Sequence, residues 1–281
     1  MILFKKANDL SSYIEKRKAQ GESIGFVPTM GALHAAHISL VEKAQQENDF
    51  VVCSIFVNPA QFNDPRDLEK YPRPVENDIT MLTDAKCDLL FLPEVDEVYP
   101  SGMNKLADYD LGHLENFLEG ASRPGHFKGV ANVVDRFLQM VKPNRLYLGQ
   151  KDFQQVKVLQ RVLEVTHSSV TIVMCPILRE ENGLAMSSRN IRLTAEQRQH
   201  ASGISKALFA IQKQVGKFPI AQLQKDAKDQ INRIPGARVD YLEFCDADSF
   251  QIIHEWNDAK QVVVITAVNV GNVRLLDNVL L

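Results

Sequence analysis

The sequence predicts an α/β fold: a parallel sheet with helices on both faces, followed by a smaller α+β unit. Three observations carry that expectation. Short apolar runs alternate with helical periodicity from Ile24 to Met174, as in successive strand–helix–strand units. Polar residues follow directly after several of these runs, where a parallel sheet presents its ligand-binding edge. Beyond Arg192 the order changes to two helices and then three apolar runs, which suits an antiparallel sheet.

The elements follow from local pattern. Asn8 to Ala19 is a polar helical segment, and Ile24-Gly25-Phe26-Val27 is a buried strand. Pro28 has no N–H with which to continue the ladder, and Gly31 permits a tight turn or a close approach by a ligand. From about Leu33 the period becomes helical, with Ile38, Val41 and Ala44 on one face. Phe50 to Val57 is rich in β-branched and aromatic residues, as expected of a strand covered on both faces. Asp78 to Ala85 reads as helix, Asp88 to Leu92 as strand and Ala131 to Val141 as an apolar helix. Arg145 to Leu148 is a strand, Gly149 to Asp152 turns into a helix reaching Val165, and Val170 to Met174 completes about five strands. Such an alternation suits a sheet wound in the Rossmann manner, with Thr29 and Met30, Asn58 and Gln61, and Gln150 and Lys151 converging on one cleft.

In the last third, Thr194-Ala195-Glu196-Gln197 has capping-box spacing and opens a helix to about Val215. Pro219 suits the first turn of a second helix reaching Ile234. Arg238 to Cys245, Gln261 to Val270 and Val273 to Leu280 are strands, the last two joined by a tight turn at Gly271-Asn272. The expected division is a first domain of residues 1–176 and a second of 177–281, with a hinge that gates the cleft.

A chain of 281 residues can bury a sizeable core and suits one large domain plus a smaller one. The formal net charge of -3 argues against nucleic acid or an anionic membrane as partner. No apolar stretch approaches the roughly 18 residues of a membrane-spanning helix, and the N-terminal residues lack a signal-peptide core. A cytoplasmic protein is expected. Cys53, Cys87, Cys175 and Cys245 are widely separated, with no C-x-x-C among them, and read as reduced core residues.

His34 and His37 fall in the first turn of a helix that follows a strand. Three-residue spacing lets both imidazoles point the same way, beside free backbone N–H groups and the positive end of the helix dipole. That is a site for an anion, most simply a phosphate. The pair encloses two alanines and lacks the four-residue spacing and glutamate of a zinc protease helix. Leu184 to Asn190 is a polar, cation-bearing turn of the type that closes over a triphosphate. Neither G-x-G-x-x-G nor the P-loop motif occurs, which argues against a dehydrogenase or a P-loop kinase.

Five segments occur in one order: Pro28 to His34, Phe56 to Phe62, Arg123 to Val130, Gly149 to Asp152, and Met186 to Arg189. Together they resemble the class I aminoacyl-tRNA synthetases and their nucleotidyltransferase relatives, and most closely the pantoate–β-alanine ligase (pantothenate synthetase) family. The resemblance implies a Rossmann-like nucleotidyltransferase fold and an AMP-forming ligase that joins pantoate to β-alanine through pantoyl adenylate. It further implies catalytic roles for His34, His37, Lys151, Ser187 and Arg189, with His37 as a proton donor. ATP contacts carried over are Met30, Gly31, His34, His37, Gly149, Gln150, Lys151, Asp152, Leu178, Met186, Ser187, Ser188 and Arg189. Gln61 is implied for pantoate and β-alanine, and Gln155, four residues past Lys151 on the same helical face, for pantoate. Asn58 and Arg123 are weaker candidates, while His126 and Lys128 read as lid or exposed loop. Mg2+ is expected with ATP, with Asp78 near its shell and no dedicated protein metal site, and a homodimer is suggested.

Ala36 stands where the family has glycine, whose missing side chain lets adenine lie flat on the helix. One overpacked methyl adds about 1 to 3 kcal/mol. A competing reading is an adenylyl- or cytidylyltransferase acting on a phosphorylated acceptor, which would bring a basic pocket in place of Gln61 and Gln155. A non-catalytic nucleotide sensor has little use for Lys151 and the Met-Ser-Ser-Arg loop.

Overall fold

The computed structural model describes residues 1–281 apart from Asn104. The chain forms two compact units, one of Met1–Gly149 with Gln154–Cys175 and one of Gln150–Phe153 with Pro176–Leu281.

The first unit is built on a six-stranded parallel sheet: β1 (Ile2–Phe4), β2 (Ile24–Thr29), β3 (Phe50–Ile55), β4 (Leu89–Phe91), β5 (Arg145–Gly149) and β6 (Thr171–Cys175). The order is β1-β4-β3-β2-β5-β6. β1 is one strand more than the sequence suggests. Three residues carry no readable periodicity, and their pairing with Leu89 to Phe91 is a long-range event.

Side chains alternate across the sheet as the pleat requires. Phe26, Val52, Leu146 and Leu148 join one core with α1 (Ala7–Ala19), α4 (His126–Val141) and α5 (Phe153–Val165). Val27, Val51, Cys53 and Tyr147 join another with α2 (Ala35–Glu47) and α3 (Val75–Asp84). Coverage of both faces explains why these strands are almost continuously apolar.

Pro28 lies inside β2, paired with Ser54, rather than ending it. The reason is the direction of its missing donor. The Thr29 carbonyl accepts from Phe56 N–H, whereas the Ile24 carbonyl accepts from Asn144 N–H. Odd-numbered residues of β2 therefore bond toward β3 and even-numbered ones toward β5. On the β5 side the register stops at Phe26–Leu146, so Pro28 has no ladder bond to lose. Beyond that point β2 and β5 separate. This is where the strand order reverses, the position at which doubly wound sheets open a ligand crevice.

α4 begins at His126, five residues before the predicted start. Gly125, with φ of 77°, is its N-cap, and the polar composition of the first turn resembles loop when read without its packing partners.

The second unit places α6 (Ala195–Gln212) and α7 (Ile220–Asn232) with an antiparallel sheet of β7 (Ala237–Asp246), β8 (Val262–Val270) and β9 (Val273–Leu280). Thr194 and Gln197 form the reciprocal capping box, at 3.0 and 3.1 Å. Pro219 is the N-cap of α7, one residue outside the first turn. Gly271 takes φ of 55° at the first central position of the hairpin turn, which favours glycine. Gln150–Phe153, assigned by the sequence to the first domain, packs with this unit because Asn278 of β9 bonds its backbone. No helix of the described residues is long and apolar enough to cross a membrane.

All four cysteines are buried and free. Burial pushes the thiols of Cys87 and Cys245 up to about 12 and raises those of Cys53 and Cys175. Since the thiolate is the reactive form, a thiol reagent at about pH 8 is expected to label almost nothing in the native protein and all four cysteines after denaturation. Rapid native labelling would contradict this packing.

Candidate active site

At the end of β2 the chain must turn sharply to enter α2. Gly31 and Ala32 do this with φ of 77° and 50°, a left-handed pair that is costly for alanine. The conformation is held by Asp78 of α3, which is fully buried. Its Oδ2 accepts from Ala32 N–H at 2.9 Å and its Oδ1 from Leu33 N–H at 2.7 Å. A side chain at Gly31 would sit 2.9 Å from Asp78 Oδ2 and 3.0 Å from Ile55, so glycine is needed there for space as well as for φ. Burial raises the Asp78 carboxyl from its ordinary value, against the two amide bonds that lower it. With each oxygen accepting one amide, Asp78 holds the turn that leads into α2.

α2 then begins with His34 as N-cap and His37 at its third position. The His34 N–H donates to His37 Nδ1 at 3.3 Å, and the two rings lie 4.1 Å apart. With Nδ1 accepting, neutral His37 carries its proton on Nε2. Ala35 and Ala36, the first helical residues, have N–H groups with no acceptor inside the helix. The head of α2 thus offers ring and backbone donors together.

Beyond β3, Asn58 caps a 3-10 turn, Pro59–Gln61. Asn58 Oδ1 accepts from Ala60 N–H at 3.2 Å and from the Tyr99 hydroxyl at 2.8 Å. Asn58 Nδ2 donates to the Gly129 carbonyl and to Gln61 Oε1, both at 3.1 Å. The backbone groups fix the Asn58 amide, and it in turn fixes the Gln61 amide. Gln61 is left presenting its NH2 group, with Nε2 3.3 Å from Met30 Sδ. Met30 and Gln61, expected on one sheet edge, therefore meet.

Gly149 closes β5 opposite Cys175, and Gln155 is partly buried in the first turn of α5. Lys151 lies in a separate 3-10 turn, Gln150–Asp152, so the expected helical four-residue relation to Gln155 does not hold. The helix starts only at Phe153.

In the second unit the remaining candidates hang on two adjacent residues of β9. Asn278 Nδ2 donates to the Gln150 and Lys151 carbonyls at 2.9 and 3.0 Å, and its Oδ1 accepts from Gln150 Nε2 at 3.0 Å. Asp277 takes both guanidinium nitrogens of Arg179 at 2.7 and 2.9 Å. Arg179 is bridged to Ala185, and Met186 N–H donates to the Leu178 carbonyl at 3.0 Å. Leu178 and Met186 are thereby side by side. Ser187 caps the turn Ser188–Arg192, its Oγ accepting from Arg189 N–H at 3.2 Å. Asn190 ties this turn to Glu180 at 2.7 Å. The Lys151 side chain is only 17% exposed, 3.5 Å from Asp152, so it is not an ordinary solvated surface lysine.

Sequence reasoning missed Asp277 and Asn278. The available signal was a polar pair interrupting the apolar run Val273 to Leu280.

The family model for pantoate-beta-alanine ligase matches residues 2–280. This chain belongs to that family. A pantothenate synthetase of Cytophaga hutchinsonii is 44% identical over 283 residues, covering 100% of this chain and 99% of the relative. One from Porphyromonas gingivalis is 43% identical over 279 residues, 99% of each. The crystal structure of pantothenate synthetase from Thermus thermophilus superposes with a TM-score of 0.92 at 38% identity, covering 99% of both chains. The Francisella tularensis ligase complexed with beta-gamma ATP and beta-alanine gives 0.82 at 38% identity, covering 100% of this chain and 97% of that one. The family reaction joins pantoate to β-alanine.

Asp78→Ala leaves the buried Leu33 amide and the partly buried Ala32 amide without their acceptor. A loss of about 2 kcal/mol in unfolding free energy is expected, measured by urea denaturation. An unchanged midpoint would mean that Ala32 and Leu33 find other partners.

Proposed function

We propose that the chain makes pantothenate in two steps on the residues described above. In the first, a carboxylate oxygen of pantoate attacks the α-phosphorus of ATP. The bond from that phosphorus to the bridging oxygen breaks, and pyrophosphate leaves with the electron pair. In the second, the neutral amine of β-alanine attacks the carbonyl carbon of pantoyl adenylate, AMP departs, and the nitrogen loses a proton. Both steps bring anions together or release them, so catalysis is mainly orientation and charge stabilisation. His34, His37 and the first amides of α2 are suited to phosphate oxygens, with His37 Nε2–H as the donor. Lys151, Ser187, Ser188 and Arg189 are assigned to the leaving pyrophosphate. Met30, Gly31, Gly149, Gln150, Asp152, Leu178 and Met186 complete the proposed ATP contacts.

The observation that carries this reading beyond the family match is the setting of Gln61. Its side chain is held by the Asn58 amide and the Met30 thioether, both neutral, and offers N–H donors. Such a group binds hydroxyls or a carboxylate that must stay nucleophilic; a fixed cation there would blunt the attack. This favours a hydroxy acid over the phosphorylated acceptor of a nucleotidyltransferase. Gln61 is assigned to pantoate and β-alanine, and Gln155 to pantoate.

Among the described residues no group of three or more His, Cys, Asp or Glu side chains is set to hold a metal. A magnesium ion accompanying ATP would bridge its phosphates and keep several waters. A cytoplasmic homodimer is part of the same proposal, and light scattering tests the dimer.

Supplied with ATP, magnesium, pantoate and β-alanine, the protein is expected to form AMP, pyrophosphate and pantothenate, with AMP dependent on both organic substrates. Nucleotide transfer to a phosphate ester without pantoate would sink the ligase reading. Lys151→Ala is expected to slow adenylate formation by at least about 100-fold while changing stability by no more than about 1 kcal/mol. Unfolding with wild-type turnover per folded molecule would contradict it. Ala36→Gly is expected to tighten ATP binding about tenfold, the equivalent of removing one overpacked methyl. Calorimetry showing equal or weaker binding would place adenine elsewhere.

A further inference from the structure

We propose that Arg123 and His126 form a latch that positions Gln61, so that the Arg-Pro-Gly-His-Phe segment sets affinity for the acid substrate without touching it. This rests on the assignment of Gln61 to pantoate. His126, expected in an exposed or lid loop, is buried, only 6% exposed, in the first turn of α4. One ring nitrogen, Nδ1, lies 2.8 Å from the Gln61 carbonyl oxygen; the other, Nε2, lies 3.1 Å from Arg123 Nη1. A guanidinium only donates, so Nε2 must accept, and the ring proton sits on Nδ1, from which it donates to Gln61. Both nitrogens are thereby committed, and His126 is a neutral positioning residue.

Further ties join the same two segments. Asn63 Nδ2 donates to the Pro124 carbonyl, and Asn58 Nδ2 to that of Gly129 at 3.1 Å. A Cβ on Gly129 would collide with the Ala60 carbonyl oxygen and lie 2.7 Å from Gln61 N, so the first turn of α4 rests directly on the backbone that carries Gln61. A 3-10 turn three residues long, Pro59–Gln61, has little rigidity of its own. Its position is inherited from α4 through this latch.

The test compares the KM values for pantoate and ATP in wild type, His126→Leu, His126→Asn and Gln61→Ala. His126→Leu is expected to raise the pantoate KM about tenfold, the affinity equivalent of one lost buried hydrogen bond, with the ATP KM little changed. His126→Asn, whose amide N–H can replace Nδ1–H, is expected to restore most of that loss. An equal rise for both substrates, no rise, or an asparagine variant no better than leucine overturns the latch. If Gln61→Ala leaves the pantoate KM unchanged, the substrate assignment has failed instead. Nitrogen NMR of the wild-type ring supplies a readout independent of folding in the variants: Nδ1–H is expected, and an Nε2–H tautomer or a protonated ring overturns the proposal.

Discussion

A buried carboxylate bonded to two backbone amides determines where the histidine helix begins. β2 delivers the chain to the point where the sheet's order reverses, and the return into α2 needs consecutive left-handed residues. Gly31 takes that conformation freely, but Ala32 does not. Asp78 supplies the missing stabilisation by accepting from Ala32 and Leu33. Starting the helix one residue earlier or later would swing His34 and His37 by about 100° around its axis. The ring and backbone donors at the head of α2 would then point in a different direction.

Anchoring by a polar side chain recurs at other irregular stretches that carry residues of the proposed site. Asn58 orients the Gln61 amide, His126 holds the Gln61 carbonyl, and Asn278 holds both carbonyls of the Lys151 turn. These anchors are neutral. A neutral group satisfies buried backbone without adding a charge beside the side chain that it holds. Two other anchors are carboxylates: Asp78 is met by two backbone amides, and Asp277 by a bidentate arginine, which offsets the cost of burying it.

Much of the architecture was legible because it follows from local chemistry. The strand–helix alternation, the Thr194–Gln197 cap and the Gly271 turn depend on residues close in the chain. So does the placement of two histidines at the head of a helix. The pantoate–β-alanine ligase family could also be read from short ordered segments. Compositional reading failed at His126 to Gly129, where polar residues and glycine suggest loop. Those residues are helical because the small Gly129 lets α4 lie against Ala60 and Gln61, a contact invisible to periodicity.

The amino-acid order alone determined most of the strands and helices and which residue types could meet phosphate or a hydroxy acid, because periodicity, capping and side-chain chemistry are local. Tertiary structure alone decided that Ile2–Phe4 is a strand, that Pro28 remains within the sheet, and that Asp78 holds a loop 46 residues away. It also decided that Asp277 and Asn278 carry the turns of the second unit. Each of these depends on where a backbone donor or acceptor finds its partner across the fold, and that pairing is set by the packed chain as a whole.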